Sequence, residues 1–218
     1  MIRDTEFFPE IDSRLKIMDL GMSSYETVWG LQKELQARRI SGKIGDHLLL
    51  VEHEPVYTLG KISHKAHLLR SNDHGISVIQ TDRGGDITFH GPGQLVGYPI
   101  LDLHRYHRSV SWYMRSLEKI IIDVLSDFRI NADRKKGLTG VWIQDEKVAA
   151  LGVRISRWVT MHGFALNVDP DLSFYEGIIP CGIRDFGVTS MATLLGHDID
   201  MSAVKKALVN HFKTIFNF

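Results

Sequence analysis

Residues 83–98, RGGDITFHGPGQLVGY, combine an arginine and a histidine with five glycines. Glycine reaches positive φ and lets a ligand come close to the main chain. The alternation over residues 86–90 predicts a short strand that ends at the following Gly-Pro-Gly turn. Such a strand would have Arg83 and His90 at its two ends, where both side chains can converge on a bound group. The alternative is a tight turn with a purely structural role, since glycine-rich turns are common.

The same segment resembles the signature of the octanoyltransferases of the lipoate pathway. Every fixed position of that signature is filled here, by Arg83, Gly84, Gly85, Thr88, His90, Gly93, Gln94 and Tyr98. Those enzymes move an octanoyl group from acyl carrier protein to a lysine of a lipoyl domain. The resemblance runs from about residue 47 to 195. It implies the fold shared by biotin and lipoate protein ligases, a mixed β-sheet flanked by helices.

The chain has a single cysteine, Cys181, in the sequence Ile-Pro-Cys-Gly-Ile. A cysteine thiolate can take an acyl group from a thioester and pass it to an amine, because the intermediate remains a reactive thioester. A free thiol titrates near ~8.5, so a nucleophile at neutral pH needs a nearby cation. A lone cysteine is more often a small buried apolar residue. The resemblance favours catalysis, because the family's nucleophile lies in the same Pro-Cys-Gly setting.

Lys147 opens a predicted strand that contains Gly152. By itself it reads as a solvated lysine at a hairpin turn. The resemblance implies instead that Lys147, in the family's Lys-x-x-x-Leu/Ile-Gly pattern, pairs with Cys181. An ammonium beside the sulfur favours the thiolate by its charge. It can also relay a proton to the leaving thiol and from the incoming amine.

An eight-carbon chain needs a slot walled by small side chains. Ala149, Ala150, Gly152, Gly163 and Ala165 supply them on two adjacent predicted strands, although small residues also let sheet and helix pack closely. The resemblance assigns the acyl contacts to three segments: Arg83, Gly84, Gly85, Asp86, Ile87, Thr88, Phe89 and His90; Ala150, Leu151 and Gly152; and Gly163, Phe164 and Ala165. Together they would form one tunnel leading to Cys181.

The resemblance also implies the partners: octanoyl-acyl carrier protein as donor, and as acceptors the lipoyl domains of 2-oxoacid dehydrogenase complexes and the glycine cleavage H protein. It implies no cofactor. Arg134, Lys135 and Lys136 form a candidate basic patch for an acidic carrier protein. One alternative is an ATP-dependent lipoate or biotin protein ligase of the same fold, which needs no cysteine. Another is a non-catalytic module that holds a carrier protein or lipoyl domain.

Charge and composition exclude several classes. Lys plus Arg and Asp plus Glu are both 26, and this balance argues against a nucleic-acid-binding protein. One cysteine excludes an internal disulfide and suits a reducing compartment. No secretory signal or apolar run of ~18 residues is present, so we expect a soluble, cytoplasmic protein without membrane segments. Of the 11 histidines, His53, His90 and His162 lie near motif glycines, but none has metal-ligand spacing, so we expect no metal.

Periodicity predicts the elements that must position these residues. Strands are expected at 15–20, 47–53, 56–60, 76–80 and 86–90, and then at 159–168, with a hairpin over 141–155. Helices are expected from a Ser23–Glu26 capping box to about residue 39, over about 114–128 and over 202–216. Residues 94–103 contain Pro99, which suggests an edge strand or a bulge. The predicted class is α+β, one catalytic domain over residues 1–218 with a smaller C-terminal lobe.

Overall fold

The structure is a computed structural model that describes residues 15–69, 75–179 and 186–218. It has an α+β architecture with a seven-stranded mixed sheet, a separate three-stranded sheet and four α-helices among these residues. The strands are β1 Lys16–Ser23, β2 His47–His53, β3 Val56–Leu59, β4 Ser77–Gln80, β5 Thr88–His90, β6 Gln94–Ile100, β7 Val141–Ile143, β8 Glu146–Ser156, β9 Val159–Asn167 and β10 Gly187–Val188. The helices are α1 Tyr25–Ile40, α2 Val110–Asp127, α3 Met191–Leu195 and α4 Met201–Phe216.

The large sheet has the order β1-β2-β6-β9-β8-β10, with β7 also paired to β8. The pairs β1–β2 and β8–β10 are parallel, and β2–β6, β6–β9, β8–β9 and β7–β8 are antiparallel. The small sheet has the order β4-β3-β5. This is the mixed sheet flanked by helices that the resemblance implied.

Helices cover the two faces of the large sheet differently. On one face, α2 and α4 form the main core together with apolar residues of β2, β6, β8 and β9. On the other face, α1 packs on alternate residues of the same strands, among them Leu49, Val96 and Met161. Helix α1 also buries Gln32 and Gln36, which bond to the backbone of β9: Gln36 Nε2 donates to Val159 O at 2.9 Å, and His162 N donates to Gln32 Oε1 at 2.9 Å.

Three local predictions of element boundaries are wrong. The cap of α1 is Ser24, which accepts from Thr27 N, whereas the Ser23 hydroxyl donates to Leu20 O at the end of β1. The sequence predicts the hairpin turn at Asp145 and Glu146, but it lies one residue earlier, at Gln144 and Asp145, where Gln144 takes up the positive φ of 52° that the turn requires. The strand expected at residues 86–90 begins only at Thr88.

Pro99 does not mark an edge strand, because β6 lies between β2 and β9. The β6–β9 ladder stops at Gly97, two residues before the proline, so the missing N–H removes no bond from it. Beyond this point the Thr160 hydroxyl joins the strands, donating to Pro99 O at 2.6 Å and accepting from Leu101 N at 2.9 Å. Neither ladder of β6 shows a register shift, so Pro99 does not mark a bulge either.

None of the described helices combines the length and apolar character needed to cross a bilayer.

Candidate active site

A cavity of about 460 Å³ lies between the loop at residues 83–88 and the strands β8 and β9. Its volume is in the range of small-ligand sites. Thirteen of the fourteen predicted acyl-contact residues line it, counted over the three predicted segments, and Lys147 lines it too. The lining includes Arg83, Gly84, Gly85, Asp86, Ile87, Thr88, His90, Lys147, Ala150, Leu151, Gly152, Gly163, Phe164 and Ala165.

The glycines of the motif bring its loop against two strands. Gly84 N donates to Val153 O on β8 at 2.9 Å. A Cβ on Gly152 would lie 2.8 Å from Gly84 O, and one on Gly60 would lie 2.1 Å from Gly85 O. Real side chains do not reach such distances, so these positions need glycine for close backbone packing, and the cavity wall results from that packing.

Arg83 is buried, and its guanidinium is held by the small sheet. It donates from Nη2 to Thr58 O at 2.7 Å and to Thr58 Oγ1 at 3.0 Å, and from Nη1 to Gly84 O at 3.1 Å. A fork of donors is well suited to several acceptors at once. Arg83 therefore anchors the motif loop to β3 and brings a positive charge to the cavity wall.

Phe89 departs from the expected pattern, because neighbouring residues of β5 point to opposite faces. Thr88 and His90 face the cavity, whereas Phe89 stacks on Phe174 at 4.8 Å between ring centroids, in a separate apolar cluster. His90 is also more constrained than expected. Its Nδ1 bonds Gln94 Oε1 at 2.7 Å and its Nε2 lies 3.4 Å from Thr58 Oγ1.

The small residues of β8 and β9 lie directly opposite one another in the antiparallel pairing of the two strands. Ala150 pairs with Ala165 and Gly152 with Gly163, as the slot hypothesis requires. Ala149 instead belongs to the main core on the other side of the sheet. A Cβ on Gly163 would lie 2.2 Å from Gly97 O, so this glycine serves the close packing that was the alternative explanation. Gly152 serves close packing too, since a Cβ there would lie 2.8 Å from Gly84 O, so Ala150 is the clearest part of a slot on these two strands.

Lys147 is buried, with 8 % of its surface exposed, so it is not the solvated hairpin lysine of the alternative interpretation. Its Nζ lies 4.7 Å from the centre of the Trp142 ring, a cation–π contact. Gly140 has φ 132°, and a Cβ there would lie 3.2 Å from Lys147 Cε. The preceding loop thus leaves room for the lysine side chain by using glycine.

Cys181 lies outside the described residues, and so does the loop that contains it. The described residues on either side are bonded to the cavity region. Ile179 N donates to His67 O at 2.8 Å, and Val188 of β10 pairs with Lys147 of β8. Thr189 N donates to Lys147 O at 3.0 Å.

Two buried histidines, His90 and His162, line the cavity, and a third, His53, lies against His90 at 5.8 Å between ring centroids. Burial lowers the pKa of His53 and of His162 to about 4 and that of His90 well below its usual value of 6.5. The three imidazoles are therefore neutral at pH 7. His53 Nε2 bonds the Tyr98 hydroxyl at 2.8 Å, and Tyr25 stacks on His90 at 5.7 Å.

His162 also bonds Asp82, the acidic residue that directly precedes the motif at residues 83–98. Its Nε2 is 2.7 Å from Asp82 Oδ1, and Arg154 Nη1 is 2.7 Å from Asp82 Oδ2. Burial opposes ionisation of Asp82, but the hydrogen bond from His162 and the positive charge of Arg154 outweigh it and lower the pKa of the carboxyl.

Several residues that line the cavity had no sequence-based prediction of a ligand role. They include Tyr25, Ile62, Val96, Tyr98, Val110, Met114, Leu138, Thr139, His162, Asn167, Tyr175 and Val188. Tyr98 and His162 lie at or near motif positions and could have been found from that neighbourhood. Tyr25, at the start of α1, had no local signal, because only the packing of α1 on the sheet brings it to the cavity.

The sequence model of the family described as "lipoyl protein ligase A/B catalytic domain" matches residues 24–213. Among curated proteins, the octanoyltransferase of Solibacter usitatus is 49 % identical over 206 residues, covering 93 % of each chain. The octanoyltransferase of Gloeobacter violaceus is 50 % identical over 171 residues, covering 78 % of this chain and 77 % of its own.

Solved structures of similar fold are protein ligases. Plasmodium falciparum LipL1 in complex with lipoate gives a TM-score of 0.75 at 14 % identity, covering 94 % of this chain and 63 % of its own. A lipoate-protein ligase A bound with ATP gives 0.68 at 12 % identity, covering 95 % and 86 %. The biotin protein ligase of Aquifex aeolicus gives 0.54 at 14 % identity, covering 94 % and 70 %. These likenesses show the fold, and the closer sequence relatives show the family. The chain belongs to the octanoyltransferases of the lipoyl protein ligase A/B catalytic domain family and is an acyltransferase.

Proposed function

We propose that this protein transfers an octanoyl group from acyl carrier protein to a lysine of a lipoyl domain, through a thioester on Cys181. The observation that carries the proposal is the cavity that joins the three acyl-contact segments to the buried Lys147. The relatives named octanoyltransferase support the octanoyl group as the cargo. One metal-free and cofactor-free site would serve both half-reactions.

In the first half-reaction, the Cys181 thiolate attacks the carbonyl carbon of the octanoyl thioester. The new S–C bond forms, the bond to the carrier-protein thiol breaks, and Lys147 gives its proton to the leaving thiolate. In the second, the acceptor lysine amine attacks the acyl-enzyme, an amide forms, and Cys181 leaves as a thiolate. The proton lost by the amine returns to Lys147, so the enzyme regains its starting state.

The environment of Lys147 suits both roles. A lysine is able to release its proton when buried, unlike an arginine. Its strand pairs with β10, which follows the segment containing Cys181 by a few residues. This connectivity supports the dyad, because Val188, seven residues after Cys181 in the sequence, pairs with Lys147 itself.

The acyl chain would lie along β8 and β9, over Ala150, Gly152 and Ala165, with the 83–88 loop as the opposite wall. The cavity lining as a whole is mainly apolar and includes Ile87 of the loop, Leu151 and Val153 of β8 and Phe164 of β9. An alkyl chain gains free energy by leaving water for such a surface.

The donor and acceptor would dock at the mouth of the cavity. Gly137, Leu138 and Thr139 line it and directly follow the basic patch at residues 134–136. Arg134 bonds the buried Glu118 and Lys135 bonds Asp145, so both are partly neutralised by internal pairs, whereas Lys136 is exposed. The proposed acceptors are lipoyl domains of 2-oxoacid dehydrogenase complexes and the glycine cleavage H protein. A neighbouring structure of a Thermoplasma acidophilum lipoate protein ligase is described together with its E2 lipoyl domain.

The test is intact-mass measurement after incubation with octanoyl-acyl carrier protein. We expect one octanoyl adduct, mapped to Cys181, labile to hydroxylamine and absent in Cys181→Ala. An adduct on another residue, or full turnover by Cys181→Ala, would contradict the covalent mechanism. Release of pyrophosphate from ATP with free octanoate would favour a ligase instead, since a transferase ignores ATP.

A further inference from the structure

The segment that leads to Cys181 is held by a short antiparallel strip, in which residues 67–69 pair with residues 177–179. The last bond of the strip runs from Ile179 N to His67 O, at 2.8 Å. Two peptide units separate Ile179 from Cys181, so their Cα atoms are at most about 7.6 Å apart. The strip therefore fixes the chain close to the proposed nucleophile.

The side chain of His67 connects this strip to the loop that forms one wall of the cavity. Its Nδ1 lies 2.6 Å from Asp86 Oδ2, and a carboxylate is an acceptor only, so the imidazole donates. The other carboxylate oxygen, Oδ1, accepts from Ile87 N at 2.7 Å, which sets the orientation of the Asp86 side chain. Asp86 and Ile87 both line the cavity. One hydrogen bond thus joins the cavity wall to the strip that precedes Cys181.

This bond is well placed to hold its geometry. The side chain of Asp86 is 6 % exposed and that of His67 is 21 % exposed, so solvent competes little for the carboxylate. Hydrogen bonds to an ionised group are shorter and stronger than those between neutral groups. The loop is anchored at its other end as well, where Gly84 N donates to Val153 O on β8 at 2.9 Å. The strip is therefore tied to a fixed part of the cavity.

The chain that follows the Cys181 segment is tied to a different element. Val188 of β10 pairs with Lys147 of β8, and Thr189 N donates to Lys147 O at 3.0 Å. The leading side is thus connected to the acyl-binding loop, and the following side to the strand of the proposed proton donor. The two connections serve different requirements, since aligning a thiolate with a bound acyl group is distinct from stabilising its charge.

We propose that His67 is a positioning residue for acyl transfer. Through its hydrogen bond to Asp86 it holds the segment leading to Cys181 in place against the cavity wall, so that the thiolate meets the carbonyl carbon of a bound octanoyl thioester. The inference rests on the proposed function and adds to it a residue that acts without contacting the acyl group. Misplacing a reacting group by about 1 Å lowers a rate by about 10²-fold.

The experiment follows two reactions of the same thiol in His67→Leu. Acylation of Cys181 is measured by intact mass after rapid mixing with saturating octanoyl-acyl carrier protein, and alkylation by iodoacetamide is measured against pH. We expect the rate constant of acylation to fall by about 10²-fold. The alkylation profile should stay as in the wild type, because iodoacetamide reacts without an acyl chain in the cavity and Lys147 is held by the other connection. An unchanged acylation rate, or equal losses in both reactions, would overturn the proposal.

A conservative variant separates the hydrogen bond from the imidazole ring. In His67→Asn the side-chain nitrogen takes the place of Nδ1 and still donates to Asp86, so acylation should recover to near the wild-type rate. If His67→Asn is as slow as His67→Leu, this hydrogen bond does not position the segment and the proposal is wrong.

Asp86→Ala removes the same bond from the other side. If the two residues act through this bond, adding His67→Leu to Asp86→Ala should not slow acylation further. Losses that multiply in the double variant would show that the two residues act separately, against the proposal.

His64→Leu is the matched control, because it makes the same change three residues away in the same segment. The His64 side chain is exposed, and its ring lies 5.4 Å from that of His67 between centroids. Both reactions should proceed as in the wild type. A loss of acylation as large as in His67→Leu would assign the effect to the segment in general and overturn the role of His67.

Acylation of the wild type is the separate test of the proposed function. If the wild type forms no thioester on Cys181, the proposed function and this inference fail together. If the wild type is acylated and His67→Leu is acylated equally fast, only the role of His67 is wrong.

Discussion

Lys147 and Arg83 are two buried cations of one cavity, and they are held in different ways. Arg83 is 7 % exposed and donates to neutral oxygens of Thr58 and Gly84, at both backbone and side chain. Lys147 is 8 % exposed, and its ammonium lies over the face of Trp142. A guanidinium keeps its proton in proteins, whereas an ammonium can give its proton up. The permanent charge of Arg83 thus lies where a loop must be fixed, and the exchangeable proton of Lys147 lies where the proposed chemistry occurs.

Removing the exchangeable cation should give the largest effect. We expect Lys147→Met to lower kcat for octanoyl transfer by about 10²–10⁴-fold, the usual contribution of a positioned proton-transfer group. It should also raise the pKa of Cys181, measured as the pH dependence of alkylation by iodoacetamide. Lys147→Arg is the control: the charge remains but the proton cannot be relayed, so alkylation should be partly retained and transfer lost. Identical alkylation profiles for all three proteins would show that Lys147 is not the partner of the thiol.

Removing the permanent cation should act mainly on stability. Arg83→Met deletes the bonds to Thr58 and Gly84, so we expect the free energy of unfolding in urea to fall by about 3 kcal/mol. Arg83→Lys keeps the charge without the fork of donors and should fall in between. If Arg83→Met unfolds at the wild-type urea concentration, the anchoring role is wrong.

Between the two cations, Ala150 tests whether the sheet surface holds the acyl chain. Ala150→Leu should disfavour the longer acyl groups most, by about 1–3 kcal/mol in kcat/KM, because it overfills the slot. Gly163→Ala is a contrast, since its Cβ would strike Gly97 O and should reduce stability rather than shift chain length. A chain-length profile unaffected by Ala150→Leu would place the acyl chain elsewhere.

Lowering the pH should destabilise the fold, because its buried histidines are neutral. The pKa values of His53 and His162 are about 4 in the fold, against 6.5 for an unperturbed histidine. Below pH 6.5 the unfolded chain binds more protons than the folded one, so stability falls with pH down to about 4, by about 1.4 kcal/mol per unit for each histidine. His162→Asn should reduce the dependence of the unfolding free energy on pH between pH 6 and 4.5 by one such contribution. Above pH 7.5 the dependence on pH should be the same in the variant and the wild type. A slope that stays the same would mean that His162 is not buried as a neutral ring.

Local patterns predicted much of this molecule. The apolar run ending before Pro55 predicted β2 with the observed bounds, and residues of all three motif segments line one cavity. The predictions that failed concern residues whose contacts are with residues distant in the sequence. Pro99 is accepted in an interior strand because the Thr160 hydroxyl replaces the missing ladder, and no spacing within residues 94–103 encodes that bond.

The arrangement of Tyr25 and His162 in the cavity wall could not be predicted from local sequence patterns, for the same reason. Tyr25 begins a helix and had no sign of a ligand role, and the Asp82–His162 pair joins residues 80 positions apart. Histidine near glycine could be recognised as noteworthy from the sequence. Which of its nitrogens has a partner is decided only by tertiary packing.

The two buried glutamines of α1, Gln32 and Gln36, determine how precisely the helix is positioned on the sheet. A helix held to a sheet by an apolar stripe alone can shift along it at small cost, since apolar contact has little directional preference. Gln32 and Gln36 instead meet particular backbone groups of β9, so a displacement of α1 by one residue would break both bonds within a buried interface. The helix is thereby fixed in rotation and in axial position. The ring of Tyr25, about two turns from Gln32 and three from Gln36, is set relative to β9 by the same two bonds.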